Sequence, residues 1–422
     1  MTTIPLDLRP EPDARRHLER WSALADPSLG LVTQLVSEDE GLADEPSWPL
    51  VRADLAPTAG IDRSGYRFGP ACGGRTSESW ETPWVSALFE GIERYCVSLP
   101  DRDRLQRVPY AGTSDYLDPA SLLDVDADEA TVATERQRER WWIPGRTLTG
   151  RTVQVPAQSV YVPFRDADWE EPLLRDSVST GGAAGLRRDW AVVRGFLEAA
   201  ERDAVMLLHF EVAGWETVEA ERLGGQARRM IDELAALGMS TTVLRVHTGL
   251  PLAAVVVRVE DGRGVWPRAA LGSCARLDLD AAVSGALLEA AVYKRNLRAR
   301  PGYFADPVAD RDEIQCLEDR ASYWYGNDRL LDLDYFRDAH ADGRWQPVEP
   351  ASSAQELMDA VVEDLDPIVV DVTTPDVARL GAHVVKVVVP SLQPMYLSEA
   401  RRTRTRRLGA VPLDERPPHP FL

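Results

Sequence analysis

The 422-residue sequence is strongly acidic, because 68 Asp and Glu residues against 48 Lys and Arg residues give a formal net charge of −20. A surface of this charge repels polyanions, which excludes nucleic-acid binding as the main function. No stretch approaches the roughly 20 apolar residues of a membrane helix, and the amino-terminal residues lack the basic and apolar regions of a secretion signal. We therefore expect a cytoplasmic protein that does not bind membranes.

In chain order, residues 1–60 predict a Pro-rich arm with one helix, Asp13 to Ala25. Residues 61–400 predict the main domain, in which turns of small residues lead into apolar helices, and residues 401–422 predict a tail that is first basic and then Pro-rich. Runs of β-branched and apolar residues predict strands at Val153–Pro163, Val205–Val212, Ala253–Val259, Ile368–Val372 and His383–Val389. Their irregular alternation with helices favours a mixed α+β fold.

One pattern occurs three times: a turn of small residues precedes an apolar helix that carries glutamate. The turns and helix segments are Ala71–Gly74 with Ser86–Arg94, Gly181–Gly185 with Gly195–Arg202, and Gly272–Ala275 with Gly285–Glu289. In the first two helices the motif Glu-x-x-Glu-Arg places two carboxylates at positions i and i+3, on one face of the helix. Because like charges so close together repel, the pattern favours a bound cation.

Paired carboxylates suit Mg²⁺, which prefers oxygen ligands and usually keeps substrate phosphates among them. Backbone N–H groups of the glycine-rich turns would suit phosphate oxygens. The sequence has no Walker lysine motif, and its four cysteines and six histidines lack zinc-site spacing. A single Glu-x-x-Glu-Arg is more often a solvated helix face, so it is the repetition that favours a metal–nucleotide site.

Together the motifs resemble those of the YcaO superfamily. The segment Ser86-x-x-x-Glu90-x-x-Glu93-Arg94-Tyr95 is similar to the first signature of that family. The segment Ser179–Gly185 with Glu198-x-x-Glu201-Arg202-Asp203 is similar to the second, and Ala286–Glu289 resembles the third acidic helix. Residues 370–375 and 384–390 resemble the closing pair of strands, so the resemblance spans roughly residues 60 to 390.

The resemblance implies a YcaO-like fold whose acidic helices converge on a Mg-ATP cleft. It also implies an enzyme that uses ATP and Mg²⁺ to phosphorylate the oxygen of a peptide backbone amide after a nucleophile has added to the carbonyl. The cofactor-binding residues that it implies are Arg75, Ser86, Glu90, Glu93, Arg94, Glu198, Glu201, Arg202 and Glu289. The metal ligands among them would be Glu90, Glu93, Glu198 and Glu201.

The carboxyl-terminal sequence Arg416-Pro-Pro418-His419-Pro420-Phe421-Leu422 resembles the Pro-rich terminus of family members that form azolines. Proline spacing stiffens such a tail into an extended rod. The resemblance implies that the tail reaches the active site, with Pro418, Pro420 and Leu422 as its catalytic part. A disordered end, which is common at chain termini, is the alternative.

These features favour an ATP-dependent cyclodehydratase that forms thiazoline or oxazoline rings from Cys, Ser or Thr residues of a ribosomally made precursor peptide, as in antibiotic biosynthesis. The alternatives are a thioamide- or amidine-forming YcaO enzyme, and a catalytically degraded YcaO scaffold that only binds a peptide or a partner. Thr180, Trp190 and Gly285 depart from the family pattern, and Trp190 and Gly285 motivate the scaffold. In the family an arginine commonly stands four positions before the third glutamate, where this sequence has Gly285. Another basic residue could supply that positive charge, and the candidates are Arg187, Lys294 and Arg295.

The expected partners are the precursor peptide and a separate leader-binding protein of the E1-like or ThiF-like kind. The second partner is expected because only about 60 residues precede the resembling region. Formation of a homodimer is left open.

Overall fold

The computed structural model describes residues 6–13, 21, 24–28, 30–37, 43–56, 71–75, 81–164, 171–299 and 307–421, without the side chains of residues 71, 72 and 75. Contacts between residues divide the chain into two compact units. Unit 1 comprises Met1–Asp39, Trp48–Ala199 and Ala354–Ser391, and unit 2 comprises Glu40–Ser47, Ala200–Ser353 and Leu392–Leu422. The predicted helix from Asp13 to Ala25 lies mostly outside the described residues, and the division into arm, main domain and tail stays a prediction.

Antiparallel sheets form the framework of both units. The strands are β1 (Val32–Ser37), β2 (Leu50–Leu55), β3 (Ala71–Arg75), β4 (Gln106–Val108), β5 (Arg140–Thr147), β6 (Thr152–Pro156), β7 (Gly182–Gly185), β8 (Gly214–Thr217), β9 (Met239–His247), β10 (Ala253–Asp261), β11 (Ala269–Arg276), β12 (His340–Ala341), β13 (Ile368–Asp371) and β14 (His383–Val388). In unit 1, β1-β2-β3 form one sheet and β4-β5-β13-β14-β7 form another, with β6 paired to β5. In unit 2 the strand order is β11-β10-β9-β8-β12.

Helices pack on these sheets in both units. They are α1 (Glu81–Ser98), α2 (Glu129–Gln137), α3 (Arg188–His209), α4 (Gly225–Ala236), α5 (Leu279–Arg298), α6 (Leu317–Tyr325), α7 (Ala354–Leu365) and α8 (Pro375–Arg379). In unit 1, α1 packs on β3, and in unit 2, α5 packs on β11 and β10. None of the described helices combines the length and the apolar character needed to cross a lipid bilayer.

Each unit encloses its own apolar core. In unit 1, Ile92 of α1 and Ile143 of β5 are inaccessible to solvent and belong to one cluster of buried side chains. In unit 2, Val257 of β10 and Leu287 of α5 are equally inaccessible. Because such side chains recur along both the helices and the antiparallel strands, burial of apolar surface holds each helix on its sheet.

The strand predicted at Val205–Val212 is wrong, because α3 continues to His209 through this segment. The side chains from Val205 to Phe210 are almost fully buried in unit 2. A continuous apolar run is compatible with either a buried strand or a buried helix, so periodicity alone does not distinguish them. The strands predicted near β10, β13 and β14 are confirmed, whereas the segment predicted at Val153–Pro163 forms β6 and then a 3-10 turn at Ala157–Ser159.

The predicted turns of small residues are strands instead. Ala71–Gly74 lies in β3, Gly182–Gly185 is β7, and Gly272–Ala275 lies in β11. Small residues are needed here because the helices lie directly on the strands. A Cβ atom on Gly74 would overlap the backbone of Pro83 and Ala87 in α1, and one on Gly272 would overlap the backbone of Ala286 in α5.

Candidate nucleotide and metal site

A glutamate on each of three helices accepts a hydrogen bond from the backbone of a small-residue segment. The donor and acceptor pairs are the Gly73 N–H to Glu90 Oε2 at 2.9 Å, the Gly181 N–H to Glu198 Oε2 at 3.1 Å, and the Ser273 N–H to Glu289 Oε2 at 2.6 Å. The repeated pattern seen in the sequence therefore corresponds to a repeated contact.

Unit 1 brings together Glu93, Glu198 and the buried Lys386 of β14. Desolvation raises the pKa of Glu93 to about 8, and the Glu198 carboxylate adds to the rise. Desolvation lowers the pKa of Lys386 to about 8, against the opposing effect of the two glutamates. The Lys386 ammonium donates to the Val178 carbonyl at 2.6 Å. The cluster thus combines the desolvated Glu93, a second carboxylate and a buried ammonium, and a bound cation would favour the ionised form of Glu93 as Lys386 does.

Arg94 lies on α1 one turn beyond Glu90. Its Nη2 and Nε atoms donate to Glu90 Oε1 at 2.9 and 3.2 Å. Arg94, which the resemblance implies as a cofactor-binding residue, is thus paired with a carboxylate in this structure.

A cavity of about 650 Å³ lies in unit 1 next to these carboxylates. Its described lining residues are Glu11, Pro12, Asp13, Thr82, Val85, Ser86, Phe89, Glu90, Glu93, Ala184, Gly185, Leu186 and Arg194. Three of the predicted cofactor-binding residues, Ser86, Glu90 and Glu93, therefore line one cavity. Its volume falls within the usual range of small-molecule sites, about 300–1,000 Å³.

Unit 2 contains a second pair of carboxylates, Glu201 of α3 and Glu289 of α5. The Ser273 hydroxyl donates to Glu201 Oε1 at 2.8 Å and lies 3.4 Å from Glu289 Oε2. Arg202 is 3.5 Å from Glu201 Oε1. Desolvation raises the pKa of Glu201 to about 7, with Arg202 opposing the rise and Glu289 adding to it.

The carboxyl-terminal tail is ordered and buried in unit 2. Pro418, His419 and Pro420 are buried. The His419 carbonyl accepts hydrogen bonds from Arg320 Nη1 at 2.9 Å and from Trp324 Nε1 at 3.2 Å. The last described residues, Pro420 and Phe421, line a small cavity together with Arg202, Ser273 and Glu289.

Two of the predicted site residues are not described: the side chain of Arg75 and residue Leu422 lie outside the described part of the chain.

The donor atoms present suit Mg²⁺ in chemistry and in number. Within the described ranges, no group of three or more His, Cys, Asp or Glu side chains is close enough to hold a metal ion by itself. Mg²⁺ typically uses only one or two carboxylates and completes its shell with water and substrate phosphates. Pairs of carboxylates such as Glu90 with Glu93, and Glu201 with Glu289, therefore fit an ion that arrives with a nucleotide.

The basic residues proposed to replace the missing family charge have other partners. Lys294 lies 3.1 Å from Asp261, Arg295 lies 3.6 Å from Glu45, and Arg187 lies 3.0 Å from Asp7. Packing explains the glycine at position 285, because a Cβ atom there would lie 2.6 Å from the Cys274 sulfur.

Sequence reasoning missed several residues of these clusters. Lys386 carried a usable signal, because a lysine inside the apolar run His383–Val388 is costly unless it has a partner. Ser273, Glu11 and Arg194 carried none, since their positions depend on contacts between segments far apart in the sequence.

Residues 76–393 match a family model described as "YcaO cyclodehydratase, ATP-ad Mg2+-binding". The chain belongs to the YcaO family. The family, the mixed α+β fold and the cofactors ATP and Mg²⁺ that were predicted from the sequence are thereby confirmed. As a member of this family, the YcaO protein is an ATP-dependent enzyme.

Solved structures share the fold at low sequence identity. One described as a heterocyclase in complex with substrate and cofactor has a TM-score of 0.74 and 20% identity, and the match covers 100% of this chain but 59% of that one. YcaO from Methanopyrus kandleri, bound with AMPPCP and Mg²⁺, has a TM-score of 0.62 and 21% identity over 92% of both chains. The Escherichia coli microcin synthetase McbBCD complex with pro-MccB17 bound has a TM-score of 0.65 and 12% identity, covering 94% of this chain and 99% of that one.

Proposed function

We propose that this YcaO protein is an ATP-dependent cyclodehydratase that forms thiazoline or oxazoline rings from Cys, Ser or Thr residues of a ribosomally made precursor peptide. The observation that carries the proposal is the cavity of about 650 Å³ in unit 1, which Glu90 and Glu93 line. Glu93 is desolvated beside Glu198, and a bound cation would add to the effect of Arg94 and Lys386 in favouring its ionised form. A cavity of this size with such carboxylates suits a nucleotide that binds together with Mg²⁺.

In this proposal the helix glutamates hold the metal ion and nearby polar residues contact the nucleotide. The metal ligands are Glu90, Glu93, Glu198 and Glu201, and the nucleotide contacts are Arg75, Ser86, Arg202 and Glu289. When bound, ATP with Mg²⁺ supplies the phosphoryl group that turns the amide oxygen of the peptide into a leaving group. The glutamates would offset the charge of the ion, and backbone N–H groups that donate to Glu90, Glu198 and Glu201 hold these carboxylates in position before the ligand arrives.

The tail supports ring formation over the other YcaO chemistries. A Pro-rich terminus resembles that of azoline-forming family members, and this one is packed against α6 rather than disordered. Its residues Pro420 and Phe421 lie beside Arg202 and Glu289. We propose that Pro418, Pro420 and Leu422 complete the active site at the end of the tail.

The substrate is proposed to be a precursor peptide presented by a separate leader-binding protein. The structural match to a microcin synthetase complex with a bound pro-peptide supports a peptide substrate and partner proteins. Under this proposal the enzyme acts within an assembly, with the E1-like or ThiF-like partner holding the leader of the peptide.

The proposal is tested by intact mass spectrometry of the precursor peptide. The purified protein is incubated with the leader-binding partner, a Cys-rich precursor, ATP and Mg²⁺, and parallel reactions omit ATP. Ring formation removes one water molecule per ring, so the peptide mass should fall in steps of that size only when ATP is present. An unchanged mass with intact ATP would contradict the proposal, and an increase equal to exchange of oxygen for sulfur would identify the thioamide-forming alternative.

A further inference from the structure

The unit 1 cavity carries more negative than positive charge. Its described lining includes the carboxylates of Glu11, Asp13, Glu90 and Glu93, and Arg194 is the one basic side chain among the described lining residues. A triphosphate that enters this cavity needs positive partners for the oxygens that a metal ion does not bind. Arg194 is therefore the protein cation placed to meet it, which rests on the proposed function of the cavity as a nucleotide site.

Arg194 already holds an anion in this structure. Its Nη1 and Nη2 atoms donate to Glu11 Oε2 at 2.7 and 2.5 Å. The other oxygen of Glu11 accepts a hydrogen bond from the Arg187 N–H at 3.0 Å. The Glu11 carboxylate is thus paired with the Arg194 guanidinium, which lines the acidic cavity.

Glu11 belongs to residues 6–13, which we call the N-terminal strap. The strap is attached to the start of α3 by polar contacts: Trp190 Nε1 donates to the Arg9 carbonyl at 2.9 Å, and Arg187 Nε donates to the Pro10 carbonyl at 3.2 Å. These contacts lie at exposed positions. They fix the register of the strap so that Glu11, rather than a neighbour, meets Arg194.

The backbone of β7 is shaped to admit the ion pair. A Cβ atom on Gly185 would lie 2.5 Å from Arg194 Nη2 and 2.8 Å from Glu11 Oε1. Glycine at this position therefore lets the guanidinium and the carboxylate lie directly on the strand that lines the cavity.

Another anion could readily replace Glu11 as the partner of Arg194. The Arg194 side chain is 42% exposed and that of Glu11 is 22% exposed, and ion pairs so open to water contribute little to stability. A phosphate presents the same kind of oxygen acceptors with greater charge, and arginine binds phosphate and carboxylate through the same forked donors.

We propose that Arg194 is a phosphate-binding residue of the nucleotide cavity and that Glu11 is its internal competitor. Nucleotide binding exchanges the Glu11 carboxylate for a phosphate oxygen on Arg194 and frees the strap at that point. Arg187, Lys294 and Arg295 keep their own carboxylate partners.

The test is calorimetric titration of the full chain with ATP and, separately, with inorganic triphosphate, both in excess Mg²⁺. Arg194→Gln should weaken binding of both probes by about 10- to 100-fold, the range for a charge-assisted hydrogen-bonded contact. Arg194→Lys, which keeps the charge without the fork, should lose less. Glu11→Gln should strengthen binding by about 2- to 5-fold, because it removes a weak competitor.

Asp13→Asn is the matched control, since it removes one negative charge from the same strap and the same cavity. Glu11→Gln must strengthen binding more than Asp13→Asn does, and in the Arg194→Gln background the two changes must become equivalent. If Arg194→Gln leaves the affinity for ATP unchanged, or Glu11→Gln matches Asp13→Asn in the wild-type background, the inference is wrong while the proposed function stands.

The two probes separate the inference from the proposed function. If ATP does not bind but triphosphate binds in an Arg194-dependent way, the inference holds and the nucleotide function fails. If neither probe binds, both are wrong. Melting temperatures of the variants exclude unfolding as the cause of a lost affinity.

Discussion

Glu201 is the residue in which structural and proposed functional roles are most closely combined. One of its oxygens accepts from the Ser273 hydroxyl at 2.8 Å and the other accepts from the Ala275 N–H at 3.3 Å. Its raised pKa reflects desolvation that a bound cation would offset. The carboxylate is therefore held in place by β11, with Arg202 3.5 Å from one of its oxygens.

Replacing Glu201 with glutamine should separate these roles. The amide oxygen retains one acceptor for the Ser273 hydroxyl, whereas the negative charge is lost. We expect Mg²⁺-dependent ATP affinity to fall by about 10- to 100-fold, the range typical of disturbed metal sites. The melting temperature should fall slightly, because the Ala275 N–H loses its acceptor. Glu221→Gln, at a carboxylate that is 78% exposed in the same unit, serves as the control. Equal affinities for Glu201→Gln and the wild type would favour the degraded-scaffold alternative.

At the scale of elements, the separation between each acidic helix and its strand is set by glycine. Gly73 and Gly74 are neighbours in β3, yet only Gly74 points at α1. A Cβ atom on Gly73 would meet its nearest neighbour, Leu50, at 3.8 Å, whereas one on Gly74 would overlap the Pro83 carbonyl.

Gly74→Ala should therefore destabilise the protein by about 1–3 kcal/mol, as overpacking does. Gly73→Ala should be neutral or stabilising by up to about 1 kcal/mol, because alanine restricts the unfolded chain without a clash. Urea denaturation of the two variants measures the difference in the free energy of unfolding. Similar values for both would show that α1 does not lie as close to β3 as described.

The tail depends on two histidines that must stay neutral. His209 Nε2 donates to the Pro417 carbonyl and His419 Nε2 donates to the Tyr396 carbonyl, both at 2.8 Å. Desolvation lowers the pKa of His209 to about 4 and lowers that of His419 well below its usual value. Protonation would place a charge on a buried ring, so acid should loosen the tail.

The expected pH dependence follows from the unfolded pKa of about 6.5. Above that value both states of His209 are neutral, and its contribution to stability is fully present. As the pH falls from about 6.5 towards 4, the unfolded state binds the proton more readily and about 1–3 kcal/mol is lost. His209→Gln keeps an N–H donor for Pro417 without a titrating ring. Its free energy of unfolding should fall less than that of the wild type over this range, and parallel curves would contradict the assignment.

At the scale of the whole molecule, local patterns in the sequence were enough to predict the family, the mixed fold and the acidic helices. Strands such as β10 and β13 were predictable because β-branched runs rarely form helices. The end of α3 was not predictable, since nearly all of Val205–Phe210 is apolar and the run shows no helical period. Glycine-rich strands were mistaken for turns because the reason for their glycines is a helix that is distant in sequence.

In the candidate site, too, contacts between segments distant in sequence could not be predicted from local patterns. The glutamates could be found because they repeat at fixed spacing, whereas the residues that surround them come from elsewhere in the chain. Lys386 approaches Glu93 and Glu198 only through the pairing of β14 with β7. Glu11 pairs with Arg194 across 183 positions of sequence, and nothing in the sequence around this glutamate indicates such a partner.

The central claim is that the acidic helices hold a nucleotide that activates a backbone amide by transferring a phosphoryl group to its oxygen. The most direct measurement uses a precursor whose carbonyl oxygens before the reacting Cys residues carry a heavy oxygen isotope. After reaction with the enzyme, its partner, ATP and Mg²⁺, the account predicts one labelled inorganic phosphate for each ring formed. Rings accompanied by unlabelled phosphate, with the isotope released as water, would contradict it.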